Sequence, residues 1–159
     1  AGNLSLSTVP TGAIPTATRT GLASNTTYFL FVDALNWTSR SSGFSALAST
    51  TTRPALPAAA AASFLAVSLT SATVSWSANG NAAGTLYSLA LSTGSSYPNA
   101  FAGNVSLDTA PATATLAATL GGLNSNATYY LFARAVGNDG GATAFAALGS
   151  TPTLAALPA

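Results

Sequence analysis

Gly122-Leu123-Asn124-Ser125-Asn126-Ala127-Thr128-Tyr129-Tyr130-Leu131-Phe132-Ala133-Arg134-Ala135-Val136 opens on turn-forming residues and then alternates. Tyr129, Leu131, Ala133 and Ala135 recur at every second position, the period of a strand with a buried inner face, which leaves Tyr130, Phe132, Arg134 and Val136 on its outer face. Asn138-Asp139-Gly140-Gly141 follows with hairpin-loop chemistry, so a last strand is expected to return from Phe145 to about Thr151.

Upstream the same period continues. Leu65, Val67 and Leu69 alternate in a first strand, Val74 and Trp76 in a second, and Tyr87, Leu89 and Leu91 in a third, with a further strand near Ala114 to Leu120. Asn79-Gly80-Asn81 and Thr93-Gly94-Ser95-Ser96 supply turns around the third. Alanine-rich Ala58 to Ala62 reads as a linker, because Pro54 and Pro57 bracket its start and β-branched or aromatic residues follow. The whole pattern predicts an all-β sandwich.

The chain also repeats itself. Residues 1–58 align on 102–159 without gaps at an offset of 101, and 29 of the 58 pairs are identical. Gly21-Leu22-Ala23-Ser24-Asn25-Thr26-Thr27-Tyr28 answers the opening of the segment quoted above, and both copies close alike, in Ala55-Leu56-Pro57-Ala58 and Ala156-Leu157-Pro158-Ala159. A period of this length suits tandem beads, each a complete small domain. The expected organisation is the C-terminal half of one repeat in 1–58 and a complete repeat in 59–159. Taken alone, 1–58 would carry open strand edges and half a core. Either the chain is a window onto a longer array, or a neighbouring chain supplies the equivalent of 59–101.

One Trp in the second strand, then Gly-Leu-x-Ser-Asn-x-Thr-Tyr-x-Leu-x-Ala-x-Ala leading to a Gly/Asn turn, resembles a bacterial-type fibronectin type III domain. The resemblance spans 59–159 and the back half of the pattern in 1–58. It places Trp76 on the family's core Trp, Leu123 and Tyr129 on its Leu and corner Tyr, and Leu22 and Tyr28 on the same two positions of the first copy. It implies an immunoglobulin-like β-sandwich in which the corner Tyr fills the end of the core while its hydroxyl bonds nearby backbone. Ser24 and Ser125 stand where the family usually has Pro. The fold serves adhesion, spacing and scaffolding alike, so the resemblance specifies architecture and leaves function open.

Composition narrows function by exclusion. Charged residues make up 4% of the chain, four Arg and three Asp for a net charge of +1, and Lys, Glu, His, Cys and Met are absent. An imidazole or thiolate ligand, a Ser-His pair and a Schiff-base amine are thereby excluded, so neither enzyme chemistry nor a metal or cofactor is expected. Four dispersed arginines form no stripe for phosphates, so nucleic acid is not an expected partner. Ala55 to Val67 is too short for a membrane helix and carries Pro57.

Three features remain as candidate sites. The outer strand faces, Phe29, Phe31 and Leu35 in the first copy and Tyr130, Phe132 and Val136 in the second, are expected to pack against a neighbouring bead or chain. Asn3, Asn25, Asn36, Asn104 and Asn126 head Asn-x-Ser/Thr sequons and are candidate glycan acceptors, whose sugars would supply the hydration that charges do not. Trp37 with Asn36 and Arg40 is the cluster most like a glycan-binding face. Asp139 reads as a turn former rather than a calcium ligand, since a hard cation wants several oxygens.

Low charge and apolar outer strands favour association. The expectation is therefore a repeat unit of an extracellular, cell-surface protein that self-associates into a fibre, sheath or stalk, carrying glycans. The alternative is an adhesin or a carbohydrate-binding or spacer module of a larger secreted protein.

Overall fold

The computed structural model describes residues 5–7, 16–110 and 116–158. Among them no helix forms, and nine strands follow one another. These are β1 (Thr27–Val32), β2 (Ser45–Thr51), β3 (Ala58–Val67), β4 (Ser71–Ser77), β5 (Leu86–Ser92), β6 (Val105–Thr109), β7 (Ala117–Gly121), β8 (Thr128–Val136) and β9 (Ala146–Pro152).

Residues from 58 onward form a two-layer antiparallel sandwich. One sheet has the order β3-β4-β7 and the other β6-β5-β8-β9. Because side chains alternate across a strand, Val74 and Trp76 from the first sheet meet Tyr87, Leu89, Leu91, Tyr129, Leu131, Ala133 and Ala135 from the second. Every one of them is buried. Burial of each large apolar side chain contributes about 1.5–3 kcal/mol against the chain entropy lost on folding. Trp76 and Tyr87 touch edge to face, ring centroids 5.4 Å apart. Burial raises the Tyr87 hydroxyl above its ordinary value, which the nearby Asn81 amide only partly offsets.

Several sequence expectations change here. Ala58 to Ala62 is no linker: β3 begins at Ala58 and pairs Ala58 with Ser77 and Ala59 with Trp76. The ladder to β4 satisfies its backbone, and that tertiary gain overrides the alanines' weak strand propensity. Leu65 and Leu69 are exposed, whereas Phe64 packs on the core, because irregularities on either side of Phe64 break the simple alternation. The strand expected near Ala114 is β7, starting at Ala117, and Ala114 itself lies outside the described residues. β6 was not anticipated. It is a short edge strand whose alternation, Val105 and Leu107 against Ser106 and Asp108, is only weakly buried.

Residues 27–51 form a separate two-stranded sheet, β1-β2. Its register is that of β8-β9 shifted by 101. Tyr28 faces Thr50 as Tyr129 faces Thr151, and the irregularity between Leu30 and Phe31 recurs between Leu131 and Phe132. Tyr28 accepts a hydrogen bond from Ala23 N at 2.8 Å, and Tyr129 accepts one from Asn124 N at 3.0 Å. Thr52 Oγ1 donates to Ala23 O at 2.7 Å, and Thr153 Oγ1 to Asn124 O at 2.7 Å. The two sets differ in burial: Tyr129 and Leu123 are buried, while Tyr28 and Leu22 are half-buried. Leu30 and Val32, on the face equivalent to the sandwich core, are exposed together with Phe29 and Phe31.

Candidate functional site at the junction of hairpin and sandwich

Asn25 sits in the turn before β1 with φ of 49°, a left-handed conformation that Asn tolerates better than most residues. That turn aims its side chain at the far segment of the chain. Asn25 Nδ2 donates to Thr85 Oγ1 at 2.8 Å and to the Val136 carbonyl at 3.4 Å, and Oδ1 accepts from Asn138 N at 2.8 Å. Asn138 Nδ2 then donates to the Asn25 carbonyl at 3.0 Å. The residue is 1% exposed, so these bonds form with little competition from water.

A second amide holds the connecting segment. Asn81 Oδ1 accepts from Ala55 N at 2.7 Å, and its Nδ2 donates to Ala55 O at 2.8 Å and Ala78 O at 2.8 Å. Asn79 Nδ2 adds a bond to Leu56 O at 2.9 Å, and Ser24 forms a parallel bridge with Asn81. The β4–β5 turn and the β8–β9 loop thus receive the residues around Asn25 and Ala55. Neutral amides do work here that ion pairs do in most protein junctions.

This placement corrects one candidate. Asn25 is not an accessible glycan acceptor, because the nitrogen that would carry the sugar is buried against Thr85. Asn126, its equivalent at the offset of 101, is exposed with φ of 54°. Asn104 is half-buried, and its Nδ2 donates to Asn99 O at 3.1 Å and Asn99 Oδ1 at 2.8 Å. Asn36 is exposed, its Oδ1 accepting from Thr38 N at 3.0 Å and Arg40 N at 2.9 Å. Asn3 lies outside the described residues.

The outer-face candidates divide. Phe132 is 3% exposed: Tyr97, from the loop after β5, stacks on it at 5.5 Å and meets Phe145 edge to face at 4.7 Å. The sandwich's own loop therefore covers this residue, and it offers nothing to a neighbour. Arg134 completes the cover, its guanidinium 4.8 Å from the Phe145 ring centre. Tyr130 and Val136 are half-buried, whereas Phe29, Phe31 and Leu35 are exposed.

The β1–β2 loop carries the aromatic cluster. Trp37 is fully exposed next to Asn36 in sequence, and Asn36 and Arg40 line a shallow depression with Ala34, Leu35, Ser41 and Ser42. Asp33 braces the loop: Ser41 Oγ donates to it at 2.7 Å and Ser42 N at 3.0 Å. The Ser41 hydroxyl is the main reason its carboxyl sits below the ordinary value, despite an opposing desolvation effect. Asp139 is a turn former, its Oδ1 accepting from Gly141 N at 3.0 Å. Among the described residues no cluster of metal-ligating side chains occurs, and no helix is long and apolar enough to cross a membrane.

The chain is an all-β protein whose main body is an antiparallel β-sandwich. No protein-family model and no curated protein matches it. Among solved structures, a computationally redesigned β-sandwich protein is similar, with a TM-score of 0.47 at 16% identity over 66% of this chain and 95% of that one.

Proposed function

We propose that the chain is part of a tandem array of immunoglobulin-like, fibronectin type III-type sandwiches of period 101, forming a structural element of an extracellular surface fibre, sheath or stalk. The separation of strands into β3-β4-β7 and β6-β5-β8-β9, together with the two tyrosine-corner hydrogen bonds, supports the sandwich type. The shared register at an offset of 101 supports the array.

The observation that carries the structural reading is the Asn25 junction. Successive segments are joined by buried side-chain hydrogen bonds as well as by the chain, which gives a rod rather than freely jointed beads. A charge content of 4% favours lateral association of such rods. A glycan on exposed Asn36 would add hydration. Negative-stain microscopy of the purified protein tests the reading: ordered filaments are expected, and dispersed particles at high concentration would count against it.

A second reading rests on Trp37, whose full exposure beside Asn36 and Arg40 suits stacking against a sugar ring. On it the protein is a carbohydrate-binding or spacer module of a larger adhesin or secreted protein. Retention on immobilised polysaccharide that W37A abolishes would favour it.

A further inference from the structure

We infer that Asn126 is the docking residue for a following sandwich of the same kind, received in the geometry that Asn25 adopts in this chain. The inference rests on the tandem reading and adds the interface it requires. Asn25 and Asn126 share the left-handed turn, with φ of 49° and 54°. They share its anchor as well: Asn25 N donates to Arg53 O at 3.2 Å, and Asn126 N donates to Leu154 O at 3.0 Å. The neighbours that complete the junction are present at the same offset, Ser125 for Ser24, Ala156 for Ala55 and Leu157 for Leu56. Asn81 recognises Ala55 through its backbone N–H and C=O alone, so Ala156 offers the same pair of groups.

The two asparagines differ in their surroundings. Asn25 is buried beneath the β4–β5 turn and β8–β9 loop, while Asn126 and Leu157 are exposed. The turn at Asn126 is already in the docked conformation without a partner, so binding need not reorganise its backbone. The fitting occupant is a unit bearing a Thr at the position of Thr85 and Asn at the positions of Asn81 and Asn138. The contact is heterologous: a turn-bearing end meets a loop-bearing end. Such contacts propagate wherever the rotation between units does not close a ring, so every added unit presents a fresh turn to the next. Repetition of one rotation per 101 residues would make the rod a regular helix of sandwiches. The same geometry makes docking and a glycan on Asn126 mutually exclusive, because both use Nδ2.

The test appends a second copy of 59–159 after Ala159 and follows amide hydrogen exchange in the soluble, monomeric product. In the added copy, the backbone amide equivalent to that of Asn138 should be protected, and N126A should speed its exchange about tenfold. N126D, which keeps the acceptor oxygen and loses the Nδ2 donor, should fall between. N126A in the unextended chain measures the effect of the strained left-handed turn by itself, and only the additional change in the extended chain reports loss of docking. Equal exchange at that amide with Asn126 and with Ala overturns the inference. Filament formation is read separately: protection without filaments keeps the junction and removes the fibre, and filaments without protection do the reverse.

Discussion

Asn25 and Asn138 hold each other twice: Asn138 N donates to Asn25 Oδ1 at 2.8 Å, and Asn138 Nδ2 donates to Asn25 O at 3.0 Å. They are 113 residues apart in sequence, so this reciprocal pair fixes the orientation of the first hairpin on the sandwich. A single bond would leave rotation about its axis; two bonds, with a third from Asn25 Nδ2 to Thr85, do not.

N25A removes the side-chain bonds and leaves the Asn138 amide, in a part-buried place, without its acceptor. The cost is expected to be about 1–3 kcal/mol in the free energy that holds residues 16–58 on the sandwich, measured by hydrogen exchange. N138A should cost a similar amount, and the double variant less than the sum, because both remove one network. N126A should cost only the strain of alanine in a left-handed turn, about 1 kcal/mol, because Asn126 is exposed and makes no equivalent network in this chain.

The tyrosine corners offer a graded comparison. Y129F removes a hydroxyl that accepts from Asn124 N at the end of a closed core and should destabilise the sandwich by about 1 kcal/mol in urea unfolding. Y28F removes the matching bond to Ala23 N in a half-buried setting and should cost less, since water replaces the lost partner. Equal costs would mean that the first hairpin is as well covered as the second.

What could be read in the sequence was what local chemistry determines. Alternation at Tyr129, Leu131, Ala133 and Ala135 located the inner face of β8 because the last three sit in one uninterrupted register with β5 and Tyr129 continues it, pairing with β9. The same argument failed at Leu65 and Leu69, where irregular pairing around Phe64 shifts the faces. It failed at β6 because an edge strand has little burial to impress on its residues. The junction was hidden for a different reason. Asn25 lies in a polar turn sequence indistinguishable from that of Asn126, and only the arrival of Thr85 and Asn138 from far along the chain separates a buried lock from an exposed turn. Phe132 is parallel: its cover, Tyr97, comes from a loop whose path no periodicity encodes.

Because Phe132 is buried beneath Tyr97, F132A should leave a cavity on the outer face and cost about 3–5 kcal/mol in chemical unfolding. F31A, at the equivalent but exposed position of the first hairpin, should leave stability nearly unchanged. It should instead reduce association if that face packs against a neighbour, which sedimentation at rising concentration would report.

Asp33 gives the β1–β2 loop a pH dependence. Its folded carboxyl titrates below the ordinary 3.8, with the Ser41 hydroxyl the chief cause, so the ionised form is favoured by folding. The contribution is therefore full above the ordinary value and is lost as pH falls through the lower folded value. Acidification from pH 7 should leave the amides of Ser42 and Gly43 unmoved through the ordinary carboxylate range and shift them together only below it, as NMR would show. D33N should abolish that step without altering the sandwich resonances.

Sequon use should follow side-chain accessibility rather than sequence. Expressed through a secretory pathway that attaches N-glycans, the protein should carry sugar at Asn36 and Asn126, which are exposed, and little at Asn104, whose Nδ2 is bonded to Asn99. Asn25 should be occupied only where the glycan is transferred before the junction closes, and each such molecule should have a loosened first hairpin. Peptide mass spectrometry gives the occupancies, and hydrogen exchange on the Asn25-glycosylated fraction gives the consequence. Full occupancy of Asn25 with unchanged protection of Thr85 and Asn138 would show that the buried amide does not hold the two segments together.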